Sequence, residues 1–139
     1  MSVRGFPQMS RRSSALRVLV VEDELLIRWA IAETLGHAGH TVIKAEDGAT
    51  AVQALADSAE PVDAVLLDYR LPDSDDLTLL ASIRRLSPRS RVSLMTAYSS
   101  PEVMKGALAL GATLCVLPKP FEMHDLEPLL VNACGSSRT

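Results

Sequence analysis

The sequence predicts an α/β fold, a doubly wound five-stranded parallel sheet in the order 2-1-3-4-5 with helices on both faces. Apolar runs of strand length alternate along the chain with segments of helical period, and no internal repeat interrupts them. These runs are rich in Val and Leu without polar alternation, which is typical of buried parallel strands. A length of 139 residues is usual for one domain.

Five strands are predicted from the apolar runs. They are Arg17–Val21, Thr41–Ala45, Ala64–Leu67, Arg91–Met95 and Thr113–Leu117. The first strand ends in an acidic segment, Glu22-Asp23-Glu24, so this run is too short for a membrane span or the core of a signal peptide.

Two helices are predicted before the third strand. The first extends from about Glu24 to Ala38, with Asp23 as its N-cap and Gly39 just beyond its end. The second spans roughly residues 48 to 57.

Three further helices follow, each with a recognisable end signal. The third begins near Asp75 or Asp76 and stops before Pro88. The fourth has Pro101 at its first helical position, where the missing N–H costs nothing. The fifth extends from about residue 125 to residue 133.

The composition is that of an ordinary globular domain, with 47% hydrophobic and 22% charged residues. A net charge of −3 gives no broad attraction to nucleic acid or to an anionic membrane, so we expect neither as a partner. Neither Cys115 nor Cys134 has metal-ligand spacing, and free thiols fit a reducing cytoplasm. We expect tails at residues 1–15 and 135–139 and a folded domain over residues 16–134.

Residues that carry chemistry follow four of the predicted strands. Glu22 and Asp23 follow the first, Asp68 the third, Thr96 the fourth, and Lys119 lies just past the fifth. Ligands of such sheets bind beyond the carboxyl ends of the strands, near the point where strand order reverses. With strands one and three as neighbours, the three carboxylates are expected to converge in one pocket.

Carboxylates held close together repel each other, so the pocket should raise a pKa or recruit a hard divalent cation, and Mg²⁺ is favoured. The ion would let Asp68 attack a phosphorus atom in line. Thr96 could then donate a hydrogen bond to one phosphoryl oxygen, and Lys119 could place its ammonium against another. Taken singly, Asp23 would be a helix cap, Thr96 a loop residue and Lys119 a solvated charge. Their conjunction at one sheet edge favours a site.

Four segments resemble the motifs of bacterial response-regulator receiver domains. They are Val20-Val21-Glu22-Asp23-Glu24, Leu66-Leu67-Asp68, Leu94-Met95-Thr96-Ala97 and Lys119-Pro120-Phe121. The resemblance covers about residues 16 to 134 and implies a flavodoxin-like fold. It also implies phosphorylation of Asp68 by the phosphohistidine of a sensor histidine kinase or phosphotransfer protein.

The resemblance further implies that Glu22, Asp23, Asp68 and the backbone carbonyl of Arg70 hold Mg²⁺. The domain would be a two-component signalling switch that loses its phosphoryl group by its own catalysis, not an enzyme acting on a free metabolite. Its downstream target would be a protein that the sequence does not identify, and the chain is compatible with a stand-alone domain or a fragment of a longer regulator.

One departure from the family pattern bears on signalling. Val116 stands where the family often has an aromatic switch residue, so coupling through a rotating ring is not expected. A degenerate receiver that binds partners independently of phosphorylation is therefore the main alternative. A flavodoxin-like cofactor protein is disfavoured because Glu22-Asp23-Glu24 would repel phosphate, and a phosphatase with an aspartyl nucleophile because Arg70 replaces its second carboxylate.

Two surfaces are candidate partner sites. Leu25 and Trp29 fall opposite the core-facing stripe of the first helix, and the pattern fits equally a docking patch for the kinase and partial burial against a neighbouring helix. Met104 and Leu108 of the fourth helix form the second surface by resemblance. That resemblance includes receivers that dimerise through the face of the fourth helix and the fifth strand.

Overall fold

A computed structural model describes residues 15–68, 77–96, 101–102, 105–106, 109 and 114–118, with only the backbone described for Thr96 and residues 114–118. The strands are β1 (Arg17–Val21), β2 (Thr41–Ala45), β3 (Ala64–Asp68), β4 (Arg91–Thr96) and β5 (Leu114–Pro118). All pairs are parallel, and the order is β2-β1-β3-β4-β5. The predicted order is confirmed. β3 and β4 extend one residue further than predicted, and β5 starts and ends one residue later.

The helices described between the strands are α1 (Leu25–His37), α2 (Gly48–Asp57) and α3 (Thr78–Leu86). Gly39 has a φ of 99° just beyond α1, as predicted for the left-handed residue that follows a helix. The prediction that Asp23 caps α1 is wrong. Glu24 occupies the N-cap position, and its side chain makes no capping hydrogen bond.

The other helix predictions are met in part. Asp47 caps α2 by accepting a 2.8 Å hydrogen bond from the amide of Thr50, and the predicted bounds of that helix are confirmed. α3 begins at Thr78, and residues 75–76, the predicted start, lie outside the described residues. Residues 101–102, 105–106 and 109 of the predicted fourth helix have helical backbone. The predicted fifth helix lies outside the described residues.

Alternate residues of the strands pack on opposite faces of the sheet. Leu19 and Val21 of β1 belong to a core cluster with residues of α2 and α3. Val18 and Val20 belong to a second cluster with Ile31 of α1. All four β1 side chains are fully buried, and burying one side chain of this size contributes about 1.5–3 kcal/mol. Helices therefore cover both faces, as the doubly wound prediction requires.

Hydrogen bonds at the amino edge of the sheet align the strand starts. The amide of Leu16 donates to Nδ1 of His40 over 2.9 Å, and the amide of Thr41 donates to the carbonyl of Leu16 over 2.9 Å. The hydroxyl of Ser90 donates to the carbonyl of Val62 over 2.6 Å. Because the strands start in register, their carboxyl ends also meet at one edge. No helix in the described part of the chain has the length and apolar character needed to cross a membrane.

Candidate functional site

The acidic residues predicted to converge do lie together at the carboxyl edge of the sheet. Val21 pairs with Leu67, so the next residues, Glu22 and Asp68, are neighbours across β1 and β3. Carboxylate oxygens of Glu22, Asp23 and Asp68 all lie within 4.8 Å of one another. We call these three residues the acidic cluster. Glu22 is 0% exposed and Asp68 is 5% exposed, whereas Asp23 is exposed, so the cluster opens to solvent at Asp23.

Glu22 is held on three sides. Its amide donates to the carbonyl of Ala45 at the end of β2 over 3.0 Å. Its Oε2 accepts from the amide of Glu24 over 3.2 Å. Its carbonyl oxygen accepts from Nη1 of Arg28 over 2.8 Å. Sequence reasoning missed Arg28, for which the only signal was a basic residue one turn into the helix that follows the acidic segment.

The acidic cluster also explains why Asp23 does not cap α1. A carboxylate oxygen of Asp23 lies within 4.8 Å of those of Glu22 and Asp68, so this side chain is directed toward the cluster. Asp23 therefore belongs to the candidate site and not to the helix end.

The remaining predicted site residues lie at the same edge or outside the described residues. Met95 pairs with Asp68, and Thr96 follows it as the last residue of β4, paired with Pro118. The backbone thus places Thr96 one position beyond Asp68. Val116 pairs with Leu94 within β5. Arg70 and Lys119 lie outside the described residues, although Lys119 directly follows the end of β5 in the chain.

The acidic cluster fits a small hard cation such as Mg²⁺. Within the described ranges its ligands are all carboxylates, and Mg²⁺ prefers oxygen. Two ligands of one octahedral Mg²⁺ ion stand at most about 4.2 Å apart. The three carboxylates, whose oxygens lie within 4.8 Å of one another, are therefore close to the spacing that one such ion needs. Without a cation, two charges at 4 Å repel by about 1 kcal/mol in water, and by several times more where burial lowers the dielectric constant.

An exposed apolar surface lies on α1 beside the cluster. Leu25 is 66% exposed and Trp29 is 56% exposed, which argues against burial of this pair against a neighbouring helix, while docking of the kinase stays a prediction. We call this pair the α1 patch. It borders a groove of about 290 Å³ lined by Leu25, Arg28, Trp29, Lys44, Glu46 and Thr50. Met104 and Leu108, the second predicted surface, lie outside the described residues.

Comparison with known proteins agrees with this architecture. The family model described as the response regulator receiver domain matches residues 18–130. The DNA-binding transcriptional regulator NtrC of Escherichia coli K12 is 37% identical over 116 residues, covering 84% of this chain and 24% of NtrC. Transcriptional regulatory protein PdtaR of Mycobacterium tuberculosis is 36% identical over 125 residues, covering 88% of this chain and 58% of PdtaR. The chain thus spans only part of these relatives.

Solved structures show the same fold. A CheY-like receiver domain protein from Methanospirillum hungatei superposes with a TM-score of 0.80 at 24% identity, covering 89% of this chain and 97% of that one. NtrX from Brucella abortus superposes with a TM-score of 0.78 at 32% identity, covering 89% of this chain and 28% of that one. Because the family model matches more than half of the chain, this protein belongs to the family of response-regulator receiver domains.

Proposed function

We propose that this receiver domain accepts a phosphoryl group on Asp68, in a Mg²⁺-dependent transfer from the phosphohistidine of a sensor histidine kinase or phosphotransfer protein. The observation that carries the proposal is the position of the Asp68 carboxylate. It is 5% exposed and lies within 4.8 Å of the carboxylates of Glu22 and Asp23. Receiver domains interact with histidine kinases and downstream effectors, and this chain belongs to that family.

The acidic cluster and the backbone carbonyl of Arg70 are the proposed ligands of Mg²⁺. When bound, the ion supplies positive charge that offsets the carboxylates and the incoming phosphoryl group. An oxygen of Asp68 attacks phosphorus, so that an O–P bond forms while the N–P bond of the donor breaks and its imidazole leaves. Thr96 donates its hydroxyl to one phosphoryl oxygen, and Lys119 offers its ammonium to another.

The fold supports this chemistry by fixing the nucleophile. Asp68 ends β3, a strand in which every residue is buried, so its backbone lies on a rigid element. A nucleophile held in this way loses little entropy when the donor arrives. The low exposure of Asp68 also restricts the approach of water to its carboxylate. The proposed domain therefore acts as a switch, limited to its own phosphorylation and dephosphorylation.

The α1 patch is the proposed docking surface for the kinase. Its two residues are exposed, and they lie on the helix that begins two residues after Asp23. The second proposed surface, with Met104 and Leu108, would serve a downstream protein or a second copy of the domain. Because Val116 has no ring to rotate, output is expected to depend on other movements at the carboxyl edge.

The decisive experiment is incubation with Mg²⁺ and acetyl phosphate, followed by intact mass measurement. The wild type and Asp57→Asn, which changes an exposed aspartate at the end of α2, should both gain one phosphoryl group. Asp68→Asn should gain none, and chelation of Mg²⁺ should abolish the gain in all three proteins. Uptake by Asp68→Asn would overturn the assignment of the nucleophile. Beryllofluoride binding to the wild type is an independent check.

A further inference from the structure

Arg28 connects α1 to the end of β1. Its Nη1 donates a 2.8 Å hydrogen bond to the carbonyl oxygen of Glu22, and the contact is partly buried. The same residue, Glu22, contributes its carboxylate to the acidic cluster. A side chain of the helix is thus bonded to the main chain of a proposed metal ligand.

This contact fixes the peptide group between Glu22 and Asp23. The amide of Glu22 is bonded to Ala45 of β2, and its carbonyl is bonded to Arg28 of α1. Removing Arg28 takes a charged donor away from the carbonyl of a fully buried residue, and hydrogen bonds from charged groups are among the strongest in proteins. The peptide would then turn more freely, and the two carboxylates that flank it would move with it.

We infer that Arg28 is a positioning residue for the divalent cation, because it holds the Glu22–Asp23 peptide so that both carboxylates face one ion. The inference rests on the proposed Mg²⁺ site and adds to it a residue outside the acidic cluster. Arg28 does not ligate the ion. It acts through the main chain of Glu22.

Two effects of Arg28 on Mg²⁺ affinity have opposite signs. As a cation near the cluster it repels Mg²⁺, so on electrostatic grounds alone its removal would tighten binding, by roughly twofold to threefold at physiological ionic strength. As a positioning residue its removal weakens binding, and groups that orient metal ligands typically change affinity by about 10- to 100-fold. Positioning is therefore expected to dominate, and the sign of the change separates the two effects.

The test is calorimetric titration of Mg²⁺ into the metal-free wild type and Arg28→Gln at fixed ionic strength. The dissociation constant of Arg28→Gln should rise roughly tenfold. Arg28→Lys keeps the charge but loses the planar fork, so its dissociation constant should fall between those two. Lys44→Gln is the matched control, since Lys44 lines the same groove as Arg28. This variant also loses one positive charge, but it keeps the hydrogen bond from Arg28 to the carbonyl of Glu22. Its affinity should be unchanged or slightly higher.

A second readout needs no metal. The amide of Glu24 donates to Oε2 of Glu22 over 3.2 Å, so its hydrogen exchange should accelerate in metal-free Arg28→Gln and Arg28→Lys, while amides late in α1 exchange as in the wild type. If Arg28→Gln does not fold, the Mg²⁺ titration and the hydrogen exchange are measured on Arg28→Lys instead. Mg²⁺ binding by Arg28→Gln as tight as or tighter than by the wild type overturns this inference alone. Absence of Mg²⁺ binding to the wild type overturns the proposed function as well.

Discussion

The amide of Leu16 donates a 2.9 Å hydrogen bond to Nδ1 of His40, which joins the residue before β1 to the residue before β2. His40 is 7% exposed, and Leu16 is 6% exposed. His40→Leu removes the acceptor and leaves a buried N–H, so we expect the free energy of unfolding to fall by about 1–3 kcal/mol. Urea denaturation measures the change. His37→Ala, at an exposed position of α1, should stay within about 0.5 kcal/mol of the wild type, and equal values for both variants would contradict the prediction.

Asp23→Asn should have opposite effects with and without metal. It removes one of three charges that lie within 4.8 Å of one another, so the metal-free protein should gain up to about 1 kcal/mol in unfolding free energy. The increase in melting temperature on adding Mg²⁺ should shrink, because a ligand is lost. Thermal unfolding with and without MgCl₂ tests both effects, and Asp57→Asn is the control. An unchanged response to Mg²⁺ would remove Asp23 from the ligand set.

Trp29→Ala should separate docking from chemistry. Trp29 is 56% exposed, so its truncation should change the unfolding free energy by less than about 0.5 kcal/mol. Phosphorylation by acetyl phosphate should keep its rate, while transfer from the cognate kinase should slow roughly tenfold or more, as for a hot-spot aromatic. Leu86→Ala is the matched control, because Leu86 is 45% exposed and ends α3, which packs on the opposite face of the sheet from α1. Equal losses in both variants would argue against a specific patch.

Asp47→Ala should destabilise α2 in a pH-dependent manner. Hydrogen bonds from the hydroxyl and then the amide of Thr50 hold the pKa of the Asp47 carboxyl below its ordinary value of 3.8. Because the folded-state pKa is lowered, the stabilisation is fully present above pH 3.8 and is lost as the pH falls through the folded-state pKa. The difference in melting temperature between wild type and variant should therefore narrow below about pH 4. Glu46→Ala, at the adjacent exposed residue, should show no such difference at neutral pH.

Much of the fold was predictable because buried parallel strands leave a simple signal. The uninterrupted apolar run of β3, for example, has every residue buried, and the β1–β3 pairing brings Glu22 beside Asp68 as the strand order required. Helical period also placed Leu25 and Trp29 opposite the buried Ile31, but it did not decide between exposure of this pair and its burial against a neighbouring helix.

The features that the sequence analysis predicted wrongly or missed depend on the direction in which a side chain points. Asp23 has the residue type and position of a helix cap, but its carboxylate joins the acidic cluster. The bond from Arg28 to Glu22 was missed for a similar reason, because periodicity places a residue on a helix face and does not say which backbone carbonyl a long side chain will reach.

The position of β2 and β5 as the outer strands has a further consequence for the behaviour of the protein in concentrated solution. An outer strand can recruit a strand from another molecule unless a charge or a proline interferes. β2 carries the exposed Lys44, and β5 ends in Pro118, which has no backbone N–H to donate. Both borders of the sheet therefore oppose edge-to-edge aggregation.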